Sequence, residues 1–256
     1  MNAESFIAKT RSNFSDNAGR RTLGRQASGS GIDGARLGLL GVGDFRVFTK
    51  PGDRLFKAWH VEMMVDCSGS ITRDNRDVIL SECVVRLHKA LRQAQVGKVC
   101  ATGYNRDEIG IEADIAKGAA ALKRKLNSFY EMFNPDTRGG GSHDGYMIRR
   151  ATQRLMNGNA PGKMLLVLTD GRPNCDYAKC DLPGCFGGYK GREGLRTDLI
   201  AALGEARKQG VIALGVGVQA EHVTEFYGKQ HSVSVNDLQT LFSDAARLLE
   251  RHIIRG

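Results

Sequence analysis

The rhythm of hydrophobic and polar positions changes near residue 58. Upstream, Gly, Ser and Arg dominate Gly19 to Gly34, and no helical period is sustained. Only Phe45-Arg46-Val47-Phe48 alternates as a strand would. Residues 1–57 therefore read as a basic arm, flexible over about 1–30, and a partly ordered lead-in. Residues 58–256 read as the folded domain. There His60-Val61-Glu62-Met63-Met64-Val65 forms a short, mainly apolar run ending on Asp66, as a buried parallel strand would. A helix is predicted over roughly Arg73 to Gln95, with Ile79, Cys83, Leu87 and Leu91 on one face.

Lys98 to Tyr104 predicts a second strand and Ile109 to Ile115 a third, with helices at about 117–130 and 145–157. Lys163 to Thr169 is the clearest strand, and it too runs into a carboxylate, Asp170. Beyond a Gly- and Cys-rich loop come a helix near 194–209 and the strand Val211 to Val216. A short helix near 221–227, a short strand near 231–234 and a helix at 236–253 follow. Strands alternating with helices imply βα units, hence an α/β fold with an open, mostly parallel, doubly wound, Rossmann-like sheet.

In such a sheet, ligands bind in the crevice outside the carboxyl ends of the strands. Asp66 and Asp170 both fall there, and two carboxylates so placed repel one another unless a cation lies between them. Two hydroxyls follow the first aspartate in Asp66-Cys67-Ser68-Gly69-Ser70, with Gly69 permitting the turn that aims both inward. Carboxylates, hydroxyls and water form an all-oxygen set suited to a hard divalent ion, Mg²⁺ or Mn²⁺. The plainer alternative is that both aspartates are turn or helix-cap residues. No GxxxxGK[ST] loop is present, so the chain carries no nucleotide-hydrolysing motif of that kind.

The Asp-x-Ser-x-Ser pattern resembles the metal-ion-dependent adhesion site of von Willebrand factor A domains. The resemblance implies Asp66, Ser68, Ser70 and Asp170 as metal ligands, the last within Thr169-Asp170-Gly171. It also implies a hydroxyl from the loop Gly140 to Ile148, where Ser142 takes the place of the family's Thr and Asp144 is the second choice. Leu165 to Asn174, Gly191 to Leu195, Glu205 to Val211 and Gly31 to Leu37 are similar to the A domains of cobaltochelatase subunits and nitric-oxide-reductase activation proteins. That likeness implies a non-catalytic, metal-dependent protein-binding module serving an AAA+ ATPase in metal insertion or metalloenzyme remodelling. A partner's Asp or Glu would complete the ion's coordination. A short, stand-alone version of this kind fits a bacterial or bacteriophage accessory protein. The alternatives are a chelatase-like metal-insertase subunit, lacking the acidic region of that family, and a nucleic-acid-binding A domain.

Composition narrows the picture further. The chain has 256 residues, 41% hydrophobic and 25% charged, enough for a core that needs no covalent staples. No apolar run approaches the roughly 20 residues of a membrane span, and the N-terminus lacks a signal-peptide apolar region. A cytoplasmic location with reduced thiols is the expectation. The net charge of +9 favours acidic partners, and it is what keeps the nucleic-acid alternative open. Cys175, Cys180 and Cys185 stand in NCDYAKCDLPGC, either as zinc ligands completed by Asp176, Asp181 or a distant His, or as free thiols or a local disulfide. Cys67, Cys83 and Cys100 are expected in the core, and His143 at the rim of the site or as a ligand. Trp59 is expected to anchor the first strand. The run Lys123-Arg124-Lys125 reads as a solvated helix face or part of a basic patch.

Overall fold

The computed structural model describes residues 31–32, 48–49, 59–71, 74–93, 96–105, 107–132, 142–170, 173, 191–220, 222–235 and 238–253. The N-terminal arm and most of the lead-in lie outside them, as do Cys175, Cys180 and Cys185. From the lead-in, β1 (Gly31–Ile32) pairs antiparallel with β2 (Phe48–Thr49). Of the alternating stretch 45–48, only Phe48 is described.

The main sheet has six strands: β3 (Trp59–Asp66), β4 (Gly97–Tyr104), β5 (Glu108–Gly110), β6 (Gly162–Thr169), β7 (Ile212–Val218) and β8 (Ser232–Val235). Their spatial order is β5-β4-β3-β6-β7-β8, parallel throughout except for the antiparallel β4–β5 pair. The chain builds outward from β3 to β4 and β5, then crosses back to place β6 on the other side of β3. The topological switch point therefore lies between the carboxyl ends of β3 and β6.

Helices cover both faces. On one face lie α1 (Arg76–Gln93), α2 (Glu112–Lys117), α3 (Ala119–Met132) and the closing helix α7 (Leu238–Ile253), packed on Val61, Met63 and Val65 of β3 and on Leu166 and Leu168 of β6. On the other lie α4 (Asp144–Met156), α5 (Gly191–Lys208) and α6 (Val223–Tyr227), packed on Met64, Leu165, Val167 and Ala213. Alternation along each strand sends neighbouring residues to opposite cores. Trp59 does anchor β3: it is buried, its N–H donates to the Val96 carbonyl at 2.9 Å, and its ring covers Gly162.

Two expectations change. Ile109 to Ile115 is not one strand: pairing stops at Gly110, and α2 begins at Glu112. Ile111 and Ile115 are buried while Ala113 between them is exposed, which is helical spacing because a strand would bury all three, and Glu112 and Asp114 lie in the first turn, where the helix dipole favours acids. The helix expected at 117–130 is separated from α2 by Gly118, whose φ of 105° only glycine adopts readily. The helix after Asp66 begins at Arg76, since Asp74 and Asn75 take left-handed conformations with φ of 55° and 58°.

Candidate functional site

The carboxyl ends of β3 and β6 bring the expected oxygen ligands together. Asp66, the last residue of β3, is fully buried. Its Oδ1 accepts the Ser68 N–H at 2.8 Å, and its Oδ2 accepts the Thr169 hydroxyl at 2.8 Å. Ser68 and Ser70 converge, with 3.0 Å between their hydroxyl oxygens. Asp170 directly follows β6 and is 1% exposed. Ser142 and Asp144, just before and at the start of α4, are buried beside them, Asp144 acting on Asp66 and Ser142 on Asp144, so both candidates from the 140–148 loop arrive at the site.

Electrostatics ties the cluster together. Burial, then Asp170, then Asp144 push the Asp66 carboxyl well above the usual carboxylate range. Asp144 is pushed up to about 6, mainly by burial and also by Asp170, against the Tyr104 and Ser142 hydroxyls, which favour its ionised form. Three buried carboxylates thus repel one another across a space that several hydroxyls face. Among the described residues, Asn105 Oδ1 is buried without a hydrogen-bond partner, and the Ser142 and Tyr104 hydroxyls face Asp144 without a well-aligned hydrogen bond. Such orphaned polar atoms call for an ion or water. Hard oxygen donors, surplus negative charge and unspent acceptors fit a divalent cation of the Mg²⁺ type.

Arg76 closes one side. Its Nη1 lies 3.5 Å from Asp170 Oδ2, and its Nε donates to Gln219 Oε1 at 3.0 Å. Gln219 follows β7 with φ of 52°, a conformation few side-chain-bearing residues take, which places its side chain toward α1. On α4, Gly145 makes room for α5: a Cβ there would overlap the carboxylate of Asp198, which Arg149 holds at 2.7 Å. Gly215 and Gly217 on β7 lie under Val223 and Tyr227, so the strand packs closely there.

Four residues at or near the site had no motif to mark them: Tyr104, Asn105, Tyr227 and Arg76. Tyr104 pairs with Asp66 in strand register, and burial, Asp144 and Asp66 hold its hydroxyl protonated. Its place at the end of the second strand was the available signal. His143 is 2% exposed and so is not a rim residue; the entry to α4 turns it inward. Cys67 and Cys83 are buried as expected. Cys100 departs from the core assignment: it is half-buried on the polar side of β4, opposite Glu62. Lys123 pairs with Asp77 at 3.2 Å, while Arg124 is exposed.

No protein-family profile matches the chain, and no curated protein sequence matches it. Solved structures do. The pilus adhesin SpaC from Lactobacillus rhamnosus GG superposes with a TM-score of 0.54 at 15% identity, over 78% of this chain and 30% of that one. The D319A mutant of the PilB minor pilin from Streptococcus sanguinis gives 0.51 at 18% identity, over 78% and 64%. An aerotolerance-related membrane protein from Bacteroides fragilis, with multiple mutations to serine, gives 0.50 at 15%, over 77% and 99%. The chain thus spans less than a third of the adhesin and under two thirds of the minor pilin. These neighbours are von Willebrand factor A-like domains, and the likeness shows that fold for residues of this chain. No particular resemblance to cobaltochelatase subunits is shown. Among the described residues, no helix is long and apolar enough to cross a membrane.

Proposed function

We propose that the chain is a metal-dependent protein-binding module of the von Willebrand factor A type. The observation that carries this reading is the convergence of Asp66, Asp144 and Asp170, buried and mutually repelling, at the switch point of the sheet. Asp66, Ser68, Ser70 and Asp170 would hold Mg²⁺, or Mn²⁺, with Ser142 and, as second choice, Asp144. When bound, the ion supplies a coordination position that a partner's Asp or Glu can fill. The chain's own part is to hold the oxygen set: Thr169 and the Ser68 N–H fix Asp66, and Arg76 flanks Asp170. Nothing in this arrangement requires a bond in the partner to break, so the module is a non-catalytic adaptor.

The partner class we favour is an AAA+ ATPase engaged in the cytoplasm, in metal insertion or metalloenzyme remodelling. The support is the similarity of Leu165 to Asn174 and its companion segments to A domains of that setting. A pull-down from native lysate with wild type and Asp66→Ala, each in Mg²⁺ and in EDTA, tests this. Capture of an AAA+ ATPase only by wild type in Mg²⁺ is expected. Equal capture by Asp66→Ala would rule out the metal mechanism. Capture of nucleic acid regardless of metal would assign function to the +9 surface instead.

A further inference from the structure

At the amino end of β3, on the opposite edge of the sheet from the carboxylate cluster, a second group of ligand-type side chains meets. His60 and Glu62 lie on one face of β3, and Cys100 sits across from Glu62 on β4. The imidazole, carboxylate and thiol atoms all lie within 4.8 Å of one another. They line a cleft of about 360 Å³, together with Lys98, Thr102 and Arg154.

We propose that His60, Glu62 and Cys100 form a second metal site, for a borderline divalent ion of the Zn²⁺ class. The donor chemistry is the first argument. Nitrogen, oxygen and sulfur in one set select Zn²⁺ over Mg²⁺, which takes oxygen alone. Tetrahedral zinc ligands stand about 3.5 Å apart, so shifts of about 1 Å close the set.

The second argument is independent. His60 is 3% exposed, yet neither Nδ1 nor Nε2 has a hydrogen-bond partner among the described residues. A buried imidazole normally spends at least one nitrogen on a donor or acceptor, and leaving both unpaired is costly. Burial, then Lys98, lower its pKa, which favours the neutral form of the ring that ligates a metal. Glu62 is also prepared. Its described hydrogen bonds all fall on Oε1, from Arg154 Nη2 at 2.7 Å, Arg154 Nε at 3.0 Å and Thr102 Oγ1 at 3.2 Å. These leave Oε2 available to a metal while orienting the carboxylate, the role outer-shell partners play at known sites.

Nearby cations oppose the ion but are partly spent elsewhere. Lys98 is exposed, Lys163 turns its ammonium to the Ala160 carbonyl at 3.1 Å, and Arg154 is shared with Glu108 at 2.7 Å. Binding releases the Cys100 proton, and the thiolate then balances the added charge. Three protein ligands leave one coordination position on the cleft side, for water or an incoming donor.

The test uses the full chain in excess Mg²⁺, so that hard oxygen sites are filled, with Co²⁺ and then Zn²⁺ as probes. Wild type should develop a thiolate-to-cobalt charge-transfer absorption that Zn²⁺ abolishes. Zn²⁺ should also protect Cys100 from iodoacetamide, read by mass spectrometry of its peptide. Cys100→Ser should lose the absorption, and His60→Gln should weaken Zn²⁺ protection of Cys100 by about tenfold or more. Far-UV circular dichroism confirms that each variant is folded. If folded wild type shows no Zn²⁺ protection of Cys100, the proposal fails. It also fails if Cys100→Ser keeps the full absorption, because the thiolate then belongs to another cysteine.

Discussion

The Thr169 hydroxyl donates a 2.8 Å hydrogen bond to Asp66 Oδ2, so the last residue of β6 restrains the side chain of the last residue of β3. The bond crosses the switch point itself and fixes one carboxylate of the candidate metal centre. Thr169→Val keeps the shape and removes the donor. In EDTA it should destabilise the protein by roughly 1–3 kcal/mol, the cost of leaving a buried acceptor short of its partner. Urea unfolding of both proteins reads this directly, and equal midpoints would show that Asp66 does not depend on the bond.

The metal-free protein should lose stability as pH rises through the weakly acidic range. The folded Asp144 carboxyl titrates at about 6, above its ordinary value of 3.8. A proton held more tightly in the folded state contributes stability that is complete below the unfolded pKa and lost as pH rises through the folded one. Asp66 is shifted in the same direction. Urea unfolding in EDTA at intervals across about pH 4 to 6 should show a fall for wild type that Asp144→Asn reduces. Parallel curves for the two proteins would contradict the clustered charge.

Arg76 occupies the side of the cluster nearest Asp170, at 3.5 Å from Oδ2, and its charge opposes a cation there. Arg76→Gln should therefore tighten Mg²⁺ binding by the order of tenfold, which is about 1.4 kcal/mol. Isothermal titration calorimetry with Mg²⁺ checks it. Weaker binding by the variant would mean that Arg76 organises the site more than it repels the ion.

Two glycines on the same helix pair should respond oppositely to alanine. At Gly145 the new methyl meets the Asp198 carboxylate, and overpacking of this kind typically costs about 1–3 kcal/mol. At Gly204, within α5, nothing lies within 4 Å, and the helical preference for alanine should add about 0.5–1 kcal/mol. Thermal melts of the two variants should move to opposite sides of wild type. A lower melt for Gly204→Ala would show that the helix there needs the glycine.

The strands and the doubly wound arrangement were legible because apolar runs ending on Asp66 and Asp170 mark buried parallel strands at their carboxyl ends. The short-range oxygen pattern Asp66-x-Ser68-x-Ser70 was legible for the same reason, since a turn gathers its own residues. What escaped was what long-range pairing assembles. Ile109 to Ile115 fits the strand period locally, and only the exposure of Ala113, with Ile111 and Ile115 buried on either side of it, decides for α2. Apolar sequence neighbours, Val99 and Ala101, point Cys100 to the core. The register of β4 against β3 puts it beside Glu62 instead, and no local pattern encodes that. Arg76 reaches Asp170 across 94 positions of sequence, with the same consequence.

Strand β3 holds Val61, Met63 and Val65 against one core and turns His60, Glu62, Met64 and Asp66 to the other face. At about 3.3 Å per residue, Glu62 and Asp66 stand roughly 13 Å apart along it. A slip of one residue in pairing would exchange the two faces, burying polar groups among aliphatic helices and dismantling both ends in one event. An ion bound at either proposed site would therefore act as a clamp on strand alignment. Partial unfolding that releases one should release the other, although neither touches the same atom.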